Sequence, residues 1–205
     1  MPGQVEFFFD FVSSASYLAW TQHDRFRREA GAEILWRPML LGGVMKASGN
    51  TPPPSIPAKQ AYLRRDFLRW ARHYGVEMHH PSRHPVNTVT VMRGAVAYLD
   101  SPVFPAYLKT VFEGFWIRDR DIEDPSVLDA LVQEAGIDPG EFRTLVDRQD
   151  IKDRLRANSD EAVARGAFGA PTFFVDGEMY FGQDRMNFVI ETLQAQPGRR
   201  PAGAT

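Results

Sequence analysis

The residues best suited to chemistry lie at two places far apart in the chain. Ser13, Ser14 and Ser16 follow an aromatic run in FFFDFVSSASYLAW, and Gly169-Ala170-Pro171-Thr172 precedes a second apolar run. A serine at the first turn of a helix can do two things. It can cap the helix by accepting an orphan backbone N–H. It can also donate a hydrogen bond to an anion held there, where free N–H groups and the helix dipole favour negative charge. A serine hydroxyl is a weak nucleophile at its own pKa, and the chain contains no cysteine. That excludes structural disulfides, cysteine–zinc sites and any protein thiol chemistry. If a thiol acts here, another molecule brings it, and the hydroxyl holds and activates it.

Other candidates carry less. His73, His79, His80 and His84 lack the pairing with an acid that marks HExxH, so no metal site is expected. Arg64, Arg65, Arg69 and Arg72 fall on the polar side of one helical stretch, which reads as a solvated face or a dimer contact. A net charge of −2 leaves no electrostatic footprint for nucleic acid. No apolar run approaches the roughly 18 residues of a transmembrane helix. The opening MPGQVEFFFDF has no basic n-region, so no signal peptide is expected, and the protein reads as cytoplasmic.

The elements that position these groups follow from periodicity. Gln4–Phe11 alternates and is rich in aromatics, which suits a buried strand. A helix is expected from the serine cluster to Gly31, with Tyr17, Leu18, Trp20 and Phe26 on one stripe, and a second strand over Glu33–Pro38. LLGGVMKASGNTPPPSIP then reads as a long binding loop. From Ala58 the spacing of Leu63, Phe67, Trp70 and Tyr74 predicts a helix that Gly75 ends. Past the irregular VEMHHPSRHPVNT, helices are expected near 89–99, 105–115, 125–134, 140–148 and 151–165. Thr172–Val175 and Met179–Phe181 flank Asp176-Gly177, a strong hairpin signal, and a last helix covers about 185–194.

The order βαβ, helical block, ββα predicts an α/β, thioredoxin-like fold with a large all-helical insertion. Its expected division is 1–40 plus 169–196 for the thioredoxin-like part and 41–168 for the insertion, with a disordered tail at 197–205. In that fold the first strand delivers the reactive group to the start of the first helix, and a proline before the third strand faces it. A cis bond at Ala170–Pro171 would turn the main chain of Ala170 towards an extended peptide. Asp184, near the start of the last helix, could take that peptide's ammonium group.

DFVSSASYLA, HPVNTV, FWIRDRDIEDP and FGAPTFFVDGEMYFGQDRM, in this order, resemble the 2-hydroxychromene-2-carboxylate isomerases. These are glutathione-dependent relatives of kappa-class glutathione transferases, in the DsbA-like branch of the thioredoxin fold. The resemblance runs from about Val5 to Leu193. It implies that Ser13 is the catalytic serine against the glutathione sulfur and that the Ala170 main chain, beside Pro171, pairs with the cysteinyl part. It also implies that Phe181, Gly182, Gln183 and Asp184 hold the γ-glutamyl end, and that Lys46, Asn50 and Asn87 line the pocket of a small aromatic carboxylate. A homodimer is implied too. Where the family commonly has Ser-Pro, this chain has Ser13-Ser14, which leaves open which serine faces the sulfur. The implied reaction is reversible addition of glutathione thiolate to the hydroxychromene carboxylate, ring opening, rotation, and release of the trans-benzylidenepyruvate. Lys46 would steady the carboxylate or phenolate.

Plainer roles stand beside these. Ser13 is a natural N-cap, Pro171 an ordinary strand-edge proline, and Asp184 a cap for the last helix. Lys46, Asn50 and Asn87 are loop residues of the kind water solvates. Tyr62, Trp70, Phe112, Phe115 and Trp116 suit a core. A kappa-like transferase or peroxidase would share the thiol site. A silent binding module would keep Ser13 as a cap alone.

Overall fold

The computed structural model describes residues 3–51 and 56–196, so the tail expected to be disordered lies outside the described residues. β1 (Gly3–Phe9) runs parallel to β2 (Ala32–Pro38), in register from Gly3 opposite Ala32 to Phe9 opposite Pro38. β3 (Thr172–Val175) pairs antiparallel with β1, and β4 (Glu178–Phe181) with β3, giving the order β2-β1-β3-β4. Asp176 and Gly177 make the hairpin turn, both at positive φ (50° and 85°). That is the combination a tight two-residue hairpin needs.

Between β1 and β2 the expected single helix is two, α1 (Ser14–Thr21) and α2 (Asp24–Ala30). The backbone N–H groups of Gln22 and His23 turn back to the carbonyls of Ala19 and Trp20 and close α1 there. Gly31, at φ 59°, ends α2. The long loop after β2 is also partly helical. α3 (Leu41–Ala47) buries Val44 and Met45, a pairing the glycines and prolines around it disguised. α4 (Pro57–Tyr74) ends at left-handed Gly75, as its pattern predicts. α5 (Val89–Ala97), α6 (Phe104–Trp116), α7 (Pro125–Glu134), α8 (Pro139–Asp147) and α9 (Gln149–Ala164) complete the block, and α10 (Met186–Ala195) closes the chain.

The aromatic run of β1 is apolar on both faces because both faces are covered. Phe7 and Phe9 point to the side of Trp36, Phe173 and Phe112 of α6. Phe8 points to the other side, with Phe174, Val44 of α3 and Ala162 of α9. The Arg165 guanidinium lies 3.7 Å from the centre of the Phe174 ring and pairs with Glu6 and Glu161, closing that second face. Trp116 of α6 donates its indole N–H to the Phe11 carbonyl (2.8 Å), tying the helical block to the end of β1.

Candidate functional site

β1 ends at Phe9, and the chain turns through Asp10–Ser13 into α1. Ser13 is the N-cap. Its Oγ accepts the Ser16 N–H (3.1 Å) and donates to the Ala170 carbonyl (2.9 Å) across 157 residues of sequence. The plain capping role is therefore real, and the same hydroxyl also bridges the helix start to the second predicted segment. The Ala170–Pro171 bond is cis. Ser14 opens α1 and lines the cleft beside Ser13. Ser16 is fully buried, away from the cleft, with no hydrogen-bond partner for its hydroxyl among the described residues. The question of which serine faces a ligand thus narrows to Ser13 and Ser14.

The cleft has a volume of about 840 Å³ and lies between this junction, α3, α4, the loop before α5 and the start of the last helical segment. A second groove, about 940 Å³, runs along the outer edge of β2 past Trp20, Trp36 and Lys109. The start of α1 opens into the first.

Phe181, Gly182, Gln183 and Asp184 all line the cleft. The Phe181 ring lies against Phe168, centres 4.6 Å apart and planes tilted by 50°, and a Cβ on Gly169 would come within 2.6 Å of the Phe181 ring. Gly182 stands at φ 102°, and a Cβ there would meet a carboxylate oxygen of Asp184 at 2.6 Å. Both glycines are therefore required for the cradle's shape. Gln183 is buried, and its carbonyl takes a hydrogen bond from the Tyr74 hydroxyl (3.4 Å). Asp184 does not cap the last helix. A short 3-10 turn, Gln183–Arg185, intervenes, Arg185 occupies the cap of α10, and the Asp184 carboxylate pairs with Arg185 (2.6 Å).

Asn50 lines the cleft and donates to the Phe168 carbonyl (2.8 Å). Asn87 also lines the cleft, and its side-chain oxygen accepts the Val89 N–H (3.0 Å) at the start of α5. Lys46 is not brought to the cleft. Helix α3 turns Leu41, Gly42, Gly43 and Met45 inward and leaves Lys46 exposed in its last turn. The cations at the cleft are instead Lys59 and Arg64 of α4, beside a wall of Leu63, Phe67 and Trp70. Arg64 is exposed, as a solvated face implies, and Trp70 packs on the core as well as lining the cleft. Tyr62 is half exposed, at 53%, while Phe112, Phe115 and Trp116 are core.

Two titratable groups on the cleft gave no signal of their role in the sequence. Asp10 is buried, and its carboxylate accepts the N–H groups of Val12 (3.1 Å) and Leu41 (2.8 Å), the latter at the start of α3. Burial pushes its pKa up to about 6, against those hydrogen bonds and one from Thr88. His84 packs against Trp116 and places Nε2 3.0 Å from the Val12 carbonyl. Burial holds its pKa below the usual value. The Asp10–Leu41 and His84–Val12 contacts span 31 and 72 residues, so neither has a local signal.

A family profile, the DSBA-like thioredoxin domain, matches residues 4–194. The chain belongs to that family. Among its relatives, the 2-hydroxychromene-2-carboxylate isomerase of Pseudomonas putida is 30% identical, over 97% of each chain. The human glutathione S-transferase kappa 1 is 28% identical, over 94% of this chain and 92% of its own. The solved structure of a 2-hydroxychromene-2-carboxylate isomerase superposes with a TM-score of 0.81 at 27% identity, covering 93% of this chain and 94% of the other. The thioredoxin-like fold with a helical insertion expected from the element order is thereby established. Among the described residues no helix is long and apolar enough to cross a membrane.

Proposed function

We propose that this DSBA-family protein is a glutathione-dependent isomerase that converts 2-hydroxychromene-2-carboxylate to trans-o-hydroxybenzylidenepyruvate. The observation that carries this reading is the Ser13 hydroxyl, set at the start of α1 and hydrogen-bonded to the Ala170 carbonyl on the cleft, in a chain with no cysteine. A donor is in place for a thiolate that the protein cannot itself provide. The relatives named for glutathione transfer and for the isomerisation add support.

The cleft's own residues fit a tripeptide thiol. The main chain of Ala170 lies at its wall, and Gly169 and Gly182 leave room where side chains would intrude. Asp184 sets a carboxylate at the end where an α-ammonium would lie. Glutathione supplies, when bound, a nucleophilic sulfur that adds reversibly to a conjugated carbon. Ser13 rotates its proton from the Ala170 carbonyl towards the sulfur, and the α1 N-terminus holds the negative charge. Phe168 and Phe181 offer an aromatic face, and Asn50 and Asn87 polar groups, to a flat carboxylate substrate. Lys59 and Arg64, rather than Lys46, steady the anion.

Calorimetry of glutathione binding to wild type and Ser13→Ala, with the bound thiol titrated by thiolate absorbance, tests this. A lowered thiol pKa that returns towards its free value in the variant is expected. Absence of binding at millimolar glutathione would remove the enzyme reading and leave a thioredoxin-fold binding module.

A further inference from the structure

We propose that His84 is the proton acceptor for the thiol bound at Ser13, a residue role that rests on the glutathione reading of the cleft. A backbone carbonyl cannot donate, so the 3.0 Å contact with Val12 requires the proton on Nε2. The ring's other nitrogen, Nδ1, then carries a lone pair. It makes no hydrogen bond within the described residues, and His84 belongs to the cleft lining. Val12 immediately precedes Ser13, so the ring is anchored to the neighbour of the hydroxyl that receives the sulfur. Packing on Trp116 and Phe115 fixes its plane.

The Val12 carbonyl fixes one tautomer and supports the positive ring when it forms, the part a second acceptor commonly plays for a basic histidine. In the step itself the S–H bond breaks, the proton moves to Nδ1, and the electron pair remains on sulfur. The result is an imidazolium beside a thiolate, with Ser13 donating to the sulfur. Burial keeps the ring neutral at pH 7 while no anion is near, so the base is available before the thiol arrives. The charged group facing it is Arg64 from α4, with His80 beside it from its own loop; the guanidinium opposes a positive ring when the site is empty and favours an anion on the sulfur. Asp10 titrates separately on the cleft floor.

The wild-type protein tests this by nitrogen NMR of the His84 ring, titrated alone, with S-methylglutathione and with glutathione. Expected are an Nε2-protonated neutral ring, and a rise of its pKa with glutathione that S-methylglutathione does not produce. His84→Gln keeps a donor for the Val12 carbonyl and lacks the base. It is expected to bind S-methylglutathione within about twofold of wild type, while the thiolate fraction of bound glutathione at pH 7 drops about tenfold. A neutral ring protonated on Nδ1, or a thiolate fraction unchanged in the variant, would overturn the assignment and leave His84 as a packing residue. If neither glutathione nor its S-methyl form binds wild type, the glutathione site itself is wrong and the assignment goes with it. That outcome is separate from binding with an unaltered thiol.

Discussion

Ser13 combines two tasks because a hydroxyl both accepts and donates: it takes the Ser16 N–H and gives its proton to Ala170. Replacing it by alanine therefore also removes a cap, at a cost of about 1 kcal/mol in stability. Asp10 is set against its environment. Its carboxylate is buried, and its pKa of about 6 lies above the unfolded value of 3.8, so the native state holds the proton more tightly than the unfolded chain does. The resulting destabilisation is absent below pH 4, grows as pH rises from about 4 to 6, and reaches on the order of 3 kcal/mol above that. Asp10→Asn lacks it. Asparagine also offers only one acceptor oxygen to two N–H groups, which adds a pH-independent loss. In denaturant titrations, the unfolding free energy of the variant minus that of wild type is expected to rise by roughly 3 kcal/mol between pH 4 and pH 7.5. A difference flat with pH would show that burial does not set this carboxyl's affinity.

At the scale of elements, α4 decides the polarity of the cleft. Leu63, Phe67 and Trp70 repeat at helical spacing and form an apolar wall, while Lys59 and Arg64 stand at its margin. Both cations are exposed and neither has an ion-pair partner among the described residues. Their attraction for an anionic ligand is thus modest and screened by salt. The double variant Lys59→Gln, Arg64→Gln should weaken glutathione binding about threefold to tenfold at low ionic strength, with the difference shrinking towards 1 M salt. Equal affinities at low salt would place the ligand carboxylates elsewhere. The apolar stripe of α4 was plain in the sequence, since four aromatic or aliphatic residues at helical spacing define a face. Which neighbour that face meets was not: Arg64 is solvated and Trp70 packs on the core, and both also line the cleft. Helix α3 failed to announce itself because Gly42, Gly43 and the prolines beyond it are poor helix formers. Packing of Val44 and Met45 outweighs that propensity, and the same turn carries Lys46 outward.

Across the whole molecule, one core cluster runs from the sheet through α1 and α2 into the helical block, joining Phe7, Phe11, Phe112 and Trp116. The two halves share side chains, and a single cooperative unfolding transition is expected from that. Trp116→Phe retains most of the buried area and leaves the Phe11 carbonyl without its donor. A loss of about 1–3 kcal/mol in one undivided calorimetric transition is the expected result. Two resolved transitions would mean that the insertion unfolds by itself.

The strands, most helices, the hairpin at Asp176-Gly177 and the serine cap are legible in the residue order, because each depends on residues a few positions apart. The sequence also ruled out protein thiol chemistry, since there is no cysteine. The tertiary structure alone decided that Ser13 meets Ala170, that Ser16 is buried, that Lys46 faces away, and that His84 stands against Val12. Each of those depends on where elements far apart in the chain come to rest. That is set by the packing of both faces of the sheet, which no local pattern records.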